Sequence, residues 1–112
     1  MRKYFRLYLV LFSLLFVFSA FAQKSELRFN KAGKFKIVQF TDVHFKCANS
    51  ASDVALERIN EVLDAENPDL VIFTGDIIYA PPADSAMLQV LEPVIRRKIP
   101  FAVTFGNHDD EQ

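Results

Sequence analysis

The chain has 112 residues, 13 Lys+Arg against 14 Asp+Glu, one Cys and no Trp. That is one domain or less, and a balance of −1 gives no general affinity for nucleic acid or another polyanion. A 51% hydrophobic share with three Gly and five Pro excludes collagen-like and low-complexity chains, and a single cysteine excludes a disulfide scaffold or a cysteine-built zinc site.

Residues 1–22 carry Arg2, Lys3 and Arg6 and no acid, then the apolar run Leu7 to Phe18, and close on Ser19-Ala20-Phe21-Ala22. A basic start, about a dozen apolar residues and an Ala-x-Ala ending describe a secretory signal peptide cleaved after Ala22. The run is short of the roughly 20 residues a membrane span needs, so no stable anchor is expected after cleavage, and the product is expected to be periplasmic or extracellular. Without the leader, 10 Lys+Arg face 14 Asp+Glu, a charge of −4.

A polar lead-in over 23–34 precedes Phe35 to Phe40, whose β-branched and aromatic residues predict a strand. Thr41 to Ser52 reads as polar loop. A helical period over Asp53–Glu66 follows, with Ser52 as its N-cap and Asn67-Pro68 as its stop. Leu70 to Thr74 is a near-continuous apolar run, the pattern of a strand covered on both faces. Pro81-Pro82 interrupts a loop. Met87, Leu88, Leu91, Val94 and Ile95 then predict a helix from Asp84 to about Lys98, kinked or restarted at Pro93. Phe101 to Phe105 is a third strand. The order β-α-β-α-β predicts an α/β unit with a parallel sheet and right-handed crossovers, with Phe40, Phe73, Phe101 and Phe105 in its core.

Each strand is followed by a distinctive polar group: Asp42-Val43-His44, then Gly75-Asp76, then Gly106-Asn107-His108-Asp109. In an open parallel sheet the carboxyl ends of the strands form the ligand crevice, so groups far apart in sequence are expected to meet at one rim. Carboxylate, imidazole and amide donors suit hard or borderline metal ions. Asp42 and His44 point to one side if strand geometry persists. Asp76 has two oxygens with which to bridge two ions, and Asn107 offers an amide oxygen to the second. No Gly-x-Gly-x-x-Gly or P-loop follows the first strand, which weighs against a nucleotide-binding domain.

Asp42-x-His44, Gly75-Asp76 and Gly106-Asn107-His108-Asp109, in this order, resemble the calcineurin-like metallophosphoesterases. The resemblance implies a two-sheet αββα sandwich, of which this unit is the amino-terminal half over 35–112, and hydrolysis of phosphate mono- or diesters at two divalent or trivalent ions (Fe, Mn or Zn). By that resemblance Asp42 and His44 bind the first ion, Asp76 bridges, Asn107 binds the second, and His108 contacts phosphoryl oxygens or protonates the leaving group. Gly75-Asp76-Ile77-Ile78-Tyr79 is also similar to the tyrosine-containing motif of the branch related to purple acid phosphatases. Tyr79 there is either a ligand or a packing neighbour of the site, because His44 occupies a position that typical members of that branch leave without histidine.

The family pattern continues with later histidines, and this chain has only His44 and His108. The resemblance therefore implies a truncated phosphohydrolase with an open centre, weakly active or inactive alone; the alternative is a non-catalytic metal-binding or interaction fragment. Cys47 reads as a loop or packed thiol, Arg96-Arg97-Lys98 as solvated cations at a helix end, and Asp109 as a neighbour orienting the His108 imidazole. Asp110 and Glu111 read as merely exposed.

Overall fold

Leu70–Thr74 is the middle strand, β2, of a three-stranded sheet. It pairs in parallel with β1 (Ile37–Phe40) on one side and β3 (Phe101–Thr104) on the other. This computed structural model describes residues 26–111. The expected leader lies outside them, and among the described residues no helix is long and apolar enough to cross a membrane. Helices α1 (Ser50–Glu66) and α2 (Ala83–Arg96) supply the crossovers, and a short α3 (Asn107–Asp110) follows β3. The expected β-α-β-α-β order and parallel sheet are thus present, with α3 unforeseen.

Strand order follows chain order, so right-handed crossovers put both helices on one face of the sheet. Val71 and Phe73 of β2 lie on that face with no exposed surface, packed with Ile59 and Leu63 of α1 and Ala86, Val90 and Val94 of α2. Each such buried Val, Ile, Leu or Phe side chain contributes about 1.5–3 kcal/mol of apolar transfer energy. The opposite face is only partly covered: Leu70 and Ile72 are half-buried, and Ile37 is exposed. The apolar run of β2 is therefore covered on one face rather than on both, since both crossovers lie on the same side.

Helix α1 starts earlier than its apolar period indicates. Asn49, not Ser52, is the N-cap: its Oδ1 accepts from Ala51 N at 3.0 Å and Ser52 N at 3.3 Å. Ser52 is buried and uses its hydroxyl elsewhere, accepting Lys46 N–H at 3.0 Å. The helix ends at Asn67, whose left-handed backbone (φ 43°) lets its N–H reach Leu63 O. Helix α2 runs through a buried Pro93 as one helix and ends at Arg96. The cations at its end are not simply solvated. Arg97 folds back onto Asp64, Asn60 and Pro93 O, and Arg96 also bonds Asn60, so the pair ties α2 to α1.

Two of the four phenylalanines expected in the core are not there. Phe73 is buried and Phe40 packs on it at 5.5 Å, but Phe101 and Phe105 are 39% and 67% exposed. β3 is an edge strand, and Phe105 lies just beyond its last residue. Phe45, within the stretch that reads as polar loop, is 1% exposed and belongs to the core.

Candidate metal centre at the strand ends

The ends of β1 and β2 stay paired beyond the last strand residues. Asp42 N donates to Gly75 O at 3.1 Å, His44 N to Asp76 O at 3.0 Å, Phe45 N to Ile77 O at 2.9 Å, and Tyr79 N to Phe45 O at 3.0 Å. Buried Phe45, Ile77 and Ile78 anchor this double run in the core. Just before these anchors, Asp42 (φ 54°), His44 (φ 49°) and Asp76 (φ 50°) are all left-handed. That conformation costs a non-glycine residue about 1–2 kcal/mol, and sparsely populated backbone held in place by its surroundings concentrates at functional sites. The extended geometry that would align Asp42 with His44 ends with β1. What brings the side chains round is the left-handed turn.

Glycine makes the close approach of the third segment possible. Gly75 has φ +93°, and a Cβ on Gly106 would lie 2.1 Å from Asp76 Oδ1 and 2.5 Å from Asp76 N. With Gly106 seated there, the peptide that follows delivers His108 N to Asp76 Oδ1 at 3.2 Å. The other Asp76 oxygen, Oδ2, is 3.5 Å from His44 Nε2. One carboxylate, 19% exposed, therefore links all three strand ends.

Donor atoms of His44, Asp76 and His108 lie within 4.8 Å of one another. Donors each about 2 Å from a common ion sit roughly 3 to 4 Å apart, so the imidazole and carboxylate of His44 and Asp76 are spaced to share a cation. Asp42 lies beside Gly75 on the same rim, and Thr41 Oγ1 donates to its Oδ2 at 2.6 Å. Asn107 is the first residue of α3, between Gly106 and His108. Among the acidic and imidazole donors, Asp42 is not in that closest group, whereas His108 is.

Tyr79 packs at the edge of both imidazoles, its ring centroid 5.6 Å from that of His44 and 4.8 Å from that of His108. The Lys46 ammonium lies 4.3 Å from the Tyr79 ring centre, within the range of a cation–π contact. Lys46 escaped notice in the sequence because it follows the Asp-x-His group in an unremarkable polar stretch. The His108 imidazole meets Glu111: Nδ1 lies 3.2 Å from Glu111 Oε2. Recognising 107–110 as a helix would have shown Glu111 three residues on, on the same side as His108.

Residues 35–112 match the Calcineurin-like phosphoesterase family. The chain is 41% identical over 96 residues to Phosphatase DCR2 of Saccharomyces cerevisiae, covering 70% of this chain and 17% of the yeast protein. It is 37% identical over 109 residues to Probable inactive purple acid phosphatase 29 of Arabidopsis thaliana, covering 82% of this chain and 28% of the plant protein. Among solved structures, Pseudomonas putida nuclease MPE is similar with a TM-score of 0.53 and 25% identity, over 66% of this chain and 40% of the nuclease. The chain thus spans under a third of the length of either of these sequence relatives. A family match over most of the sequence, and a like-folded nuclease, agree with three strand ends gathered at one rim: the chain belongs to the calcineurin-like phosphoesterase family.

Proposed function

We propose that this chain supplies the amino-terminal metal-binding half of an exported phosphohydrolase acting on phosphate esters. The observation that carries the reading is the convergence of His44, Asp76 and His108, from three separate strand ends, within 4.8 Å. Asp42, His44, Asp76 and Asn107 would hold two ions, with Asp76 between them. When bound, such ions neutralise phosphoryl oxygens during in-line attack by water.

The chain's own groups do the rest. Asp76 is oriented by the His108 N–H and by the backbone pairing of its own loop with His44. His108, its Nδ1 engaged by Glu111, presents an imidazole beside the same carboxylate, where it can donate to a phosphoryl oxygen or to a leaving group. Tyr79 and Lys46 form one wall, and the ammonium adds positive charge where an anionic ester would bind. Relatives described as a phosphatase and a nuclease support ester hydrolysis, with monoesters and diesters both in range.

A second reading, a metal-binding chain without turnover, is favoured by plant relatives whose names call them inactive. One experiment separates the two. The purified chain is titrated with Mn²⁺ or Zn²⁺ and assayed on an aryl phosphate and a bis-aryl phosphate, beside Asp76→Asn. Metal-dependent hydrolysis lost in the variant supports the enzyme, and metal binding without hydrolysis, both in this chain and in one extended to the length of its relatives, supports the second reading. Failure to bind either ion overturns both.

A further inference from the structure

We propose that Asp109 is the positioning residue of this centre: its carboxylate holds the end of β3 against the end of β2 and thereby keeps His108 bonded to Asp76. The inference rests on the metal-centre reading above and concerns how that centre is held together. Asp109 Oδ1 accepts from Ile77 N at 2.8 Å and from Ile78 N at 2.9 Å. Its Oδ2 accepts from Gly106 N at 2.8 Å. One side chain thus gathers three backbone N–H groups from two segments, one of them 32 residues away.

The place of these bonds gives them their consequence. Ile77 and Ile78 directly follow Asp76, and Gly106 directly precedes Asn107 and His108. The clamp therefore brackets the contact between His108 N and Asp76 Oδ1 from both sides. The bond to Gly106 is half of a capping box, in which the third helical residue reaches back to the N-cap N–H. Glycine has no side chain to return the bond, so within the capping box Asp109 alone supplies the side-chain acceptor. Asp109 does not belong to the group of converging donors.

Only a carboxylate meets this demand. Each of its oxygens accepts, whereas the amide of asparagine accepts through one atom and turns two N–H donors toward the rest. Asp109→Asn therefore sets donor against donor at Gly106 or at Ile77 and Ile78. Asp109→Glu keeps both acceptors on an arm one methylene longer. Arg97→Ala removes that residue's bonds to Asp64 and Asn60 of α1, remote from the rim, and reports what a purely structural loss does.

The test uses the whole chain. Mn²⁺ affinity is measured by calorimetry on wild type, D109N, D109E and R97A at a temperature where each is folded by circular dichroism. Amide exchange at Ile77, Ile78, Gly106 and His108 is measured by NMR without metal. D109N is expected to bind Mn²⁺ at least tenfold more weakly and to lose protection at all four amides, D109E to fall between, and R97A to keep wild-type affinity and protection there. Wild-type affinity and His108 protection in D109N would overturn the proposal, as would an equal loss in R97A. If D109N does not fold, wild-type values for both readouts in D109E overturn it. If wild type binds neither Mn²⁺ nor Zn²⁺, the metal-centre reading falls, and exchange at the His108 amide alone decides the clamp.

Discussion

Replacing Gly106 by alanine isolates the contact on which the rim depends. The backbone itself accepts the change, because Gly106 has φ −94° and ψ −177°, an extended conformation open to any residue. The cost is steric. The new methyl would lie 2.1 Å from Asp76 Oδ1, 2.9 Å from its Cγ and 2.5 Å from its backbone N. Turning the carboxylate away relieves the first two contacts, and in doing so gives up the His108 N–H bond and the approach to His44. It does not relieve the third, so the two backbones must separate. Reaching an ordinary 3.4 Å contact from 2.5 Å requires a shift of about 0.9 Å. Forcing a group of this size into a packed site costs about 1–3 kcal/mol. At roughly 4–8 °C per kcal/mol for a domain of this size, thermal unfolding followed by circular dichroism in chelator should show a midpoint at least several degrees lower. Mn²⁺ affinity of the folded variant should fall by at least tenfold, since two donors are displaced together. A variant with the wild-type midpoint and wild-type affinity would refute the close approach of β3 to Asp76.

Other expectations are equally direct. Asp76→Asn keeps side-chain shape and tolerance of the left-handed backbone but removes the charge, so calorimetry should show metal affinity reduced at least tenfold with little change in the midpoint measured in chelator. Phe73→Ala opens a cavity at the centre of the helix-covered face and should cost about 3–5 kcal/mol in denaturant unfolding, whereas Phe105→Ser, at an exposed position, should stay within about 0.5 kcal/mol. Asn49→Ala removes the acceptor for Ala51 and Ser52 and should cost about 1 kcal/mol in the same assay; no change would return the cap to Ser52. Expressed with its own leader in a bacterial host, the chain should be recovered outside the cytoplasm with Gln23 as its first residue, and a product that keeps Met1 would contradict the export reading.

The residues that sequence alone makes legible are those whose local pattern coincides with their tertiary role. Leu70 to Thr74 is apolar because it is the middle strand, and its bounds are those of β2. The polar groups after the three strands are found at one rim because parallel topology places them there. Where a residue type permits two roles, the pattern misleads. Asn49 and Ser52 are both good caps, and only packing decides that Ser52 turns its hydroxyl to Lys46 instead. Phe45 sits among polar residues with no period to mark it, and it becomes a core residue because its loop pairs with Ile77 and Tyr79. Phe101 and Phe105 show the opposite case, since an apolar run does not reveal that its strand lies at the edge. The left-handed turns at Asp42, His44 and Asp76 leave no trace in composition, although they set where the side chains meet. Glu111, expected to be merely exposed, meets the His108 imidazole for the same reason: α3 is four residues long, too short to carry a periodic signal.

The most direct test of the centre is diffraction at the zinc absorption edge from crystals of the whole chain grown with Zn²⁺. An anomalous peak within about 2.0–2.2 Å of an Asp76 oxygen and a His44 nitrogen, with His108 beside it, is the predicted result. A peak seated on other residues, with Asp76 and His44 both unliganded, would contradict it.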